Sequence, residues 1–184
     1  MQPDTATLSR SPLSLPSGDA ETRPAGDSAL PTVAVDTRER TPLPFSKLAT
    51  KPATLREGDY QIAGLENLGL FVIERKSIED LVGCVGADRE RFEAQLLRLR
   101  GYSFARLLIV GTEQAVLQHQ YHSGINPRSV LASLYAFEAR YVPVVWSPTP
   151  QTAARLVERY VTWTVRELQK NLNLLEQSIS TPAG

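Results

Sequence analysis

The sequence of 184 residues contains little cysteine and no excess of charge of either sign. Its one cysteine, Cys84, excludes an internal disulfide bond and is more typical of a small buried side chain than of a nucleophile. Twenty basic and twenty acidic residues give a formal net charge of zero, so no global field attracts the protein to nucleic acid or membrane. Any affinity for phosphate must therefore come from a local group of side chains.

Targeting and membrane-spanning segments are also missing from the sequence. The N-terminus has no basic start followed by an apolar region, and no apolar run approaches the roughly 20 residues that a membrane helix requires. Together with the single cysteine, these absences predict a protein without membrane association. We expect it in the cytoplasm, associated with the nucleoid if the source is prokaryotic.

The composition divides the chain into one ordered domain and two tails. Residues 1–30 are rich in Pro, Ser, Thr, Gly and Asp, and such a segment cannot bury enough apolar surface to offset the entropy of ordering. We therefore predict a disordered N-terminal tail over residues 1–30. The hydrophobic content of 42% suits one domain with a proper core, predicted over residues 31–176, followed by a flexible tail over residues 177–184.

Apolar periodicity and helix-start signals predict strands that alternate with helices. The predicted strands cover residues 32–36, 54–62, 69–75, 104–111 and 142–147. The predicted helices begin at Ser77, Arg89, Thr112, Asn126 and Thr149, and the last of them continues to about Leu175. Ser77 with Asp80 three residues later has the pattern of a capping box. This alternation predicts a three-layer α/β fold with a central sheet flanked by helices.

The long final helix carries an apolar stripe from Ala153 to Leu172, which is more than a small sheet obviously needs to cover. One interpretation is ordinary core packing along the whole stripe. The other is that the distal half of the helix forms a dimer surface. The sequence leaves both open.

The segment from Gly58 to Asp80 is the most informative about function. Side chains alternate between the two faces of a strand, so Glu74 and Lys76 share one face and Arg75 points to the other. If strands 54–62 and 69–75 are neighbours, Asp59 can reach Glu74, and two carboxylates can share a divalent cation. Magnesium prefers such oxygen ligands. We therefore predict a Mg²⁺ site, with Mn²⁺ as a substitute.

Several other residues have predicted roles around this metal. Asp36 ends the first strand and is expected to complete the ligand set directly or through water. Lys76 is expected to remain charged and to hydrogen-bond the attacking water or the scissile phosphate. Arg38 could bind a phosphate oxygen through its planar fork, and Glu39 could orient a ligand.

Each of these residues also has a structural interpretation. Asp59 could be a turn residue, and Glu74 with Lys76 could form a surface pair, although the apolar run before Glu74 makes an unpartnered buried charge costly. Ser77 and Asp80 are explained by the capping box and are assigned structural support. Arg75 is expected to pair with an acid inside the fold. Arg91 and Gln95 share a helical face that either contacts DNA or faces solvent.

These motifs together resemble the nuclease domain of the XPF-type structure-specific endonucleases. The matching segments, in chain order, are VDTRE at 35–39, GDY at 58–60, ERKSIED at 74–80, RFEAQ at 91–95, and VVWS followed by TAARL. The resemblance covers roughly residues 32–170. It implies a restriction-endonuclease-like core that cuts DNA near branch points, with Asp36, Asp59 and Glu74 near the metal and Lys76 at the attacking water.

The resemblance further implies a dimer, most simply a homodimer, and leaves room for another protein that recruits the chain to DNA. Members of the family usually carry a helix-hairpin-helix module after the nuclease domain, and we expect none within residues 177–184. The predicted function is a magnesium-dependent endonuclease for branched, flap or single-strand/double-strand junction DNA, with predicted roles in DNA repair and recombination. The alternatives are a non-catalytic DNA-binding scaffold and a restriction-type nuclease, which would need base-reading elements.

Overall fold

A six-stranded mixed β-sheet forms the centre of the molecule in the computed structural model, which describes residues 30–180. The strands are β1 (Val33–Asp36), β2 (Thr50–Ala53), β3 (Tyr60–Ile62), β4 (Phe71–Ser77), β5 (Phe104–Val110) and β6 (Val144–Ser147), in the spatial order β2-β1-β3-β4-β5-β6. β3 pairs antiparallel with β1 and with β4, whereas β1–β2, β4–β5 and β5–β6 are parallel.

Five helices cover the two faces of the sheet. They are α1 (Ile78–Val85), α2 (Arg89–Leu99), α3 (Glu113–Leu117), α4 (Pro127–Arg140) and α5 (Pro150–Ser180). Alternate residues of β4 serve two separate cores, because Val72 packs with α1, α2 and α4 while Phe71 and Ile73 pack with α5. The result is the predicted three-layer α/β fold with its central mixed sheet.

The structure confirms the predicted helix starts at Ser77, Thr112 and Asn126. Ser77 caps α1, and its hydroxyl oxygen accepts from the backbone N–H of Asp80 while the Asp80 carboxylate accepts from the backbone N–H of Ser77. The Thr112 hydroxyl and the Asn126 side-chain oxygen cap α3 and α4 in the same manner. Cys84 is buried in the core beside these helices.

The region from residue 50 to residue 62 differs from the prediction. The predicted strand 54–62 is only the three residues Tyr60–Ile62, because Gly58 adopts a left-handed backbone with φ of +73° that an extended strand does not allow. Strand β2 was missed, since its sequence TKPA lacks a β-branched run. Pro52 is tolerated there because β2 lies at the edge of the sheet.

The predicted N-terminal tail lies almost wholly outside the described residues, and the predicted C-terminal tail lies partly within α5. Residues 1–29 and 181–184 lie outside the described residues. The predicted C-terminal tail of residues 177–184 begins within α5, which continues to Ser180 instead of ending near Leu175. Within residues 30–180, no helix is both long enough and apolar enough to cross a membrane.

The buried carboxylate of Glu158 on α5 holds the segment between β1 and β2. Its Oε1 accepts hydrogen bonds from the backbone N–H groups of Ser46 at 2.7 Å, Lys47 at 2.6 Å and Leu48 at 3.2 Å. Hydrogen bonds to a charged group are stronger than neutral ones. This one side chain therefore fixes the segment against the helix.

We expect Glu158→Ala to lower the free energy of unfolding by roughly 2 to 3 kcal/mol, because three N–H groups lose their acceptor. For a chain of this size that corresponds to a melting temperature about 5 to 10 °C lower. Thermal unfolding followed by circular dichroism measures the change. Glu167→Ala, an exposed acid on the same helix, is the control and should melt like the wild type.

Candidate functional site

Three neighbouring strands meet at a cleft of about 550 Å³ on the side of the sheet covered by α1 and α2. We call it the β4 cleft. It contains Asp36 at the end of β1, Asp59 immediately before β3, and Glu74 with Lys76 on β4. The other charged residues in its lining are Arg38, Glu39, Arg40, Arg56, Glu57, Arg75, Asp80 and Arg98.

Backbone hydrogen bonds hold Asp59 between β1 and β4. Its N–H donates to the carbonyl of Ile73 at 2.8 Å, and its carbonyl accepts from the N–H of Asp36 at 2.9 Å. The N–H of Arg75 donates to Asp59 Oδ2 at 2.7 Å. Gly58 makes this approach possible, because a Cβ there would lie 2.3 Å from Val72 Cγ2 and 2.9 Å from the Ile73 carbonyl oxygen.

Glu74 and Lys76 form a buried pair on one face of β4, as alternation along the strand predicts. The Lys76 ammonium hydrogen-bonds Glu74 Oε1, and the side-chain amide of Gln95 on α2 donates to Glu74 Oε2 at 2.8 Å. Burial alone would lower the pKa of Lys76, but attraction to Glu74 and the hydrogen bond between them raise it above its ordinary value. Lys76 is therefore a cation at neutral pH.

The pKa of Asp59 is the most perturbed in the cleft. Burial, followed by repulsion from the Glu74 carboxylate, raises the pKa of Asp59 to about 7, against the opposing effects of the Arg75 N–H and Lys76. The charges of Asp59 and Glu74 in the cleft therefore repel each other without full compensation. Their carboxylate oxygens are the donors that a hard divalent cation prefers, and such a cation would relieve the repulsion.

Asp36 is hydrogen-bonded by Arg38 in this structure, and its role as a third metal ligand stays a prediction. Within residues 30–180, no three Asp, Glu, His or Cys side chains converge in an arrangement that could hold a metal ion. Arg38 Nε and Nη2 donate to Asp36 at 2.7 and 3.1 Å, while the N–H groups of Arg38 and Leu55 donate at 2.8 and 2.9 Å. These donors lower the pKa of Asp36 although burial opposes them.

Comparisons with known proteins identify the family and cover the residues of this site. The family model described as the ERCC4 domain matches residues 35–160, a span that includes Asp36, Asp59, Glu74 and Lys76. The chain belongs to the ERCC4 domain family. No curated protein sequence matches it.

Solved structures similar to this ERCC4 domain share its fold. XPF from Aeropyrum pernix has a TM-score of 0.57 and 24% sequence identity over 71% of this chain and 60% of that one. XPF from Aeropyrum pernix in complex with DNA has a TM-score of 0.55 and 23% identity over 74% and 66%. The chain thus spans about 60% of the first of these structures. The predicted resemblance and the restriction-endonuclease-like fold are confirmed.

The remaining predicted residues of this ERCC4 domain divide into those inside and those outside the cleft. Gln95 reaches Glu74, whereas Arg91 is 81% exposed at its side chain, pairs with Asp88 and is not part of the cleft lining. Arg75 pairs with Glu39 at 3.1 Å, which confirms that it binds an acid inside the fold. Glu39 is therefore engaged by Arg75 in this arrangement.

Two cations of the cleft were not predicted from the sequence. Arg40 and Arg56 line it, and neither forms an ion pair with an acid among residues 30–180. Arg98, by contrast, pairs with Glu57. Their positions in the sequence were the available signal: Arg40 directly follows VDTRE, and Arg56 lies two residues before Gly58 of GDY. Residues that flank a motif of the site lie near that site because the backbone is continuous.

Proposed function

We propose that this chain is a divalent-metal-dependent DNA endonuclease that hydrolyses phosphodiester bonds at branched, flap or single-strand/double-strand junction DNA. The observation that carries the proposal is the close pair Asp59 and Glu74 with the charged Lys76 on the same strand face, in an ERCC4 domain. Two carboxylates that repel each other, with one half-buried ammonium to offset them, are costly to keep. Phosphodiester hydrolysis requires such groups, because the carboxylates can bind a metal ion and the ammonium can stabilise negative charge.

Asp59 and Glu74 are the residues that would hold the metal, with Mg²⁺ as the expected ion and Mn²⁺ as a substitute. When bound, the ion would neutralise charge on the phosphate and stabilise the leaving oxygen. Asp36 could add a ligand only if Arg38 released it, since Arg38 now occupies both of its oxygens.

The chain's own residues account for the rest of the chemistry. Gln95 holds Glu74 in orientation through Oε2, and the Arg75 N–H does the same for Asp59. The Lys76 ammonium can donate to the attacking water or to a phosphate oxygen, where positive charge stabilises the developing negative charge. Arg40 and Arg56 are placed along the cleft to contact flanking phosphates.

We also propose that the chain acts as a homodimer. The core-facing stripe of α5 continues beyond the sheet, and its distal members Leu172, Leu175 and Ile179 are exposed, Ile179 by 82%. A second copy offers the same stripe and could bury it. Recruitment to DNA by another protein remains a further proposal.

The test uses labelled flap, fork and linear duplex DNA with Mg²⁺, with Mn²⁺ and with EDTA. We expect cutting of the flap or fork with either metal and none with EDTA. Lys76→Ala should reduce the cutting rate by about a hundredfold. Because it leaves the buried Glu74 without its cation, it should also lower the melting temperature, so cutting is measured below that temperature.

The same experiment separates the alternative functions. Binding of flap DNA without cutting in any divalent metal would support a non-catalytic scaffold. Cutting of linear duplex at one sequence would support a restriction-type nuclease, and cutting by Lys76→Ala at the wild-type rate would remove Lys76 from the mechanism.

A further inference from the structure

A second groove lies on the other face of the sheet, between α5 and the segment that precedes β2. Its volume is about 1310 Å³, and we call it the α5 groove. The residues that define it are Lys47, Arg155, Arg159, Trp163, Arg166 and Lys170. It shares no residue with the β4 cleft.

Five cations line the α5 groove, and like Arg40 and Arg56 of the β4 cleft they have no acid partner within residues 30–180. Within residues 30–180, none of the five forms an ion pair. Around the β4 cleft, by contrast, Arg38, Arg75 and Arg98 each bind a carboxylate. In a protein of zero net charge, the α5 groove therefore brings together five cations and two acids, Glu158 and Glu167.

Glu158 also lines the groove, and its carboxylate offsets part of this positive charge. Its side chain is buried, with the residue only 3% exposed, and Oε1 accepts the N–H groups of residues 46–48. The carboxylate thereby holds Lys47 opposite the helix as the second wall. Glu167 is then the one exposed acid in the lining.

An aromatic ring lies among the cations. Trp163 is 59% exposed, and the Arg166 guanidinium carbon lies 5.0 Å from the centroid of its ring. A large exposed ring beside cations is the combination on which bases of a single strand stack while phosphates bind the side chains. Duplex DNA offers no free base face to such a ring.

The length of the charged face matches a short stretch of nucleic acid. Arg155 and Lys170 are 15 residues apart on one side of α5, which is about 22 Å at 1.5 Å per residue. At about 3.4 Å per nucleotide of a stacked strand, this distance covers roughly 6 nucleotides. That is within the site sizes of single-strand-binding grooves, about 4 to 16 nucleotides.

We infer that the α5 groove binds a single-stranded segment of DNA, with phosphates on Arg155, Arg159, Arg166 and Lys170 and a base on Trp163. The inference goes beyond the proposed nuclease site, because it adds a separate contact for the unpaired arm of a junction. A second copy of the chain fits this groove less well than a DNA strand does. A symmetric contact here would bring the same cations together, and the apolar stripe lies about 180° away around α5.

Fluorescence anisotropy with a labelled 16-nucleotide thymidine strand tests the inference, using the full chain in EDTA so that nothing is cut. We expect Arg159→Gln with Arg166→Gln to weaken binding at least about tenfold at low salt, and to reduce the slope of log K against log salt by about 1.4 for two lost phosphate contacts. Trp163→Ala should weaken it about tenfold, whereas Trp163→Phe keeps a ring and most of the affinity.

The matched control is Arg128→Gln with Arg140→Gln, two exposed arginines on α4 outside both grooves. This control should bind like the wild type. Equal affinity and equal salt slope for the Arg159/Arg166 variant would overturn the inference. So would a variant that binds the strand normally but dissociates from a dimer in sedimentation, since the occupant would then be a second copy.

Failure of this inference is distinguishable from failure of the proposed nuclease. Strand binding in EDTA does not depend on the β4 cleft chemistry, and cutting of flap DNA is measured separately. Unchanged strand binding by the groove variant would leave a metal-dependent nuclease intact. A chain that never cuts but loses strand binding in the groove variant would keep the groove and reject the nuclease.

Discussion

Asp59→Asn is expected to reduce DNA cutting by about a thousandfold or more while making the folded protein more stable above neutral pH. The activity falls because one of the two proposed metal-binding carboxylates becomes a neutral amide, and electrostatic contributions of single groups in active sites reach this size. The fold survives because the amide oxygen of Asn can still accept the hydrogen bond from the N–H of Arg75.

The gain in stability has a defined pH dependence. The pKa of Asp59 is raised to about 7 in the folded protein, against about 3.9 in an unfolded chain, so the folded state binds this proton more tightly. Folding stability conferred by the protonated group is present below about pH 4 and is lost as pH rises to about 7. Because asparagine does not titrate, Asp59→Asn does not lose this stability as the pH rises.

Asp59→Asn should therefore unfold like the wild type near pH 4 and be more stable by on the order of 2 kcal/mol at pH 8. The full shift of about 3 pKa units corresponds to roughly 4 kcal/mol, and partial exposure of Asp59 reduces it. Urea unfolding at both pH values measures the difference. Asp88→Asn, which alters an exposed acid outside the cleft, is the control and should show neither effect.

Three results would contradict the assignment of Asp59. They are wild-type cutting by Asp59→Asn, a stability difference that does not change with pH, and a wild-type melting temperature at pH 8 that does not rise on addition of Mg²⁺. The last follows because an ion held between Asp59 and Glu74 binds only the folded protein and stabilises it by mass action.

Gly58→Ala is expected to lower the free energy of unfolding by about 3 kcal/mol and to impair cutting. The left-handed backbone at Gly58 costs an alanine roughly 1 kcal/mol. The added Cβ would also lie 2.9 Å from the Ile73 carbonyl oxygen, a backbone atom that cannot rotate away. Overpacking of this kind costs about 1 to 3 kcal/mol more, and relief by backbone movement would displace the adjacent Asp59 from Glu74.

Gly64→Ala is the matched control for this prediction. Gly64 also has a positive φ, of +85°, but an added Cβ there would meet nothing within 4 Å. It should cost only about 1 kcal/mol and leave cutting unchanged. If the two variants melt at the same temperature, close approach to β4 is not the reason for a glycine at position 58.

The close approach at Gly58 also explains why the sequence predicted the wrong strand there. Residues 54–62 contain enough apolar groups for a strand, yet the chain leaves the extended conformation at Gly58 so that Asp59 can hydrogen-bond both β1 and β4. The sequence alone does not show that β4 packs against the Cα of Gly58 and so requires a glycine there. Strand β2 was missed for a related reason, since it is defined by pairing with β1 and has little strand preference of its own.

The sequence by itself determined the alternation of strands and helices, the helix caps and the side on which Glu74 and Lys76 lie. Each depends on local chemistry, because alternation and capping act over a few residues. It also carried the ordered motifs by which the ERCC4 domain was recognised.

Only the tertiary structure decided which charges meet. Asp36 is bound by Arg38, Asp59 lies where the charge of Glu74 repels it, and five cations of α5 and its neighbouring segment lie in one groove without an ion pair to any of residues 30–180. Ion pairing depends on distances of a few ångströms between residues far apart in the chain, and burial then sets how strongly each charge is felt. Sequence order contains neither quantity.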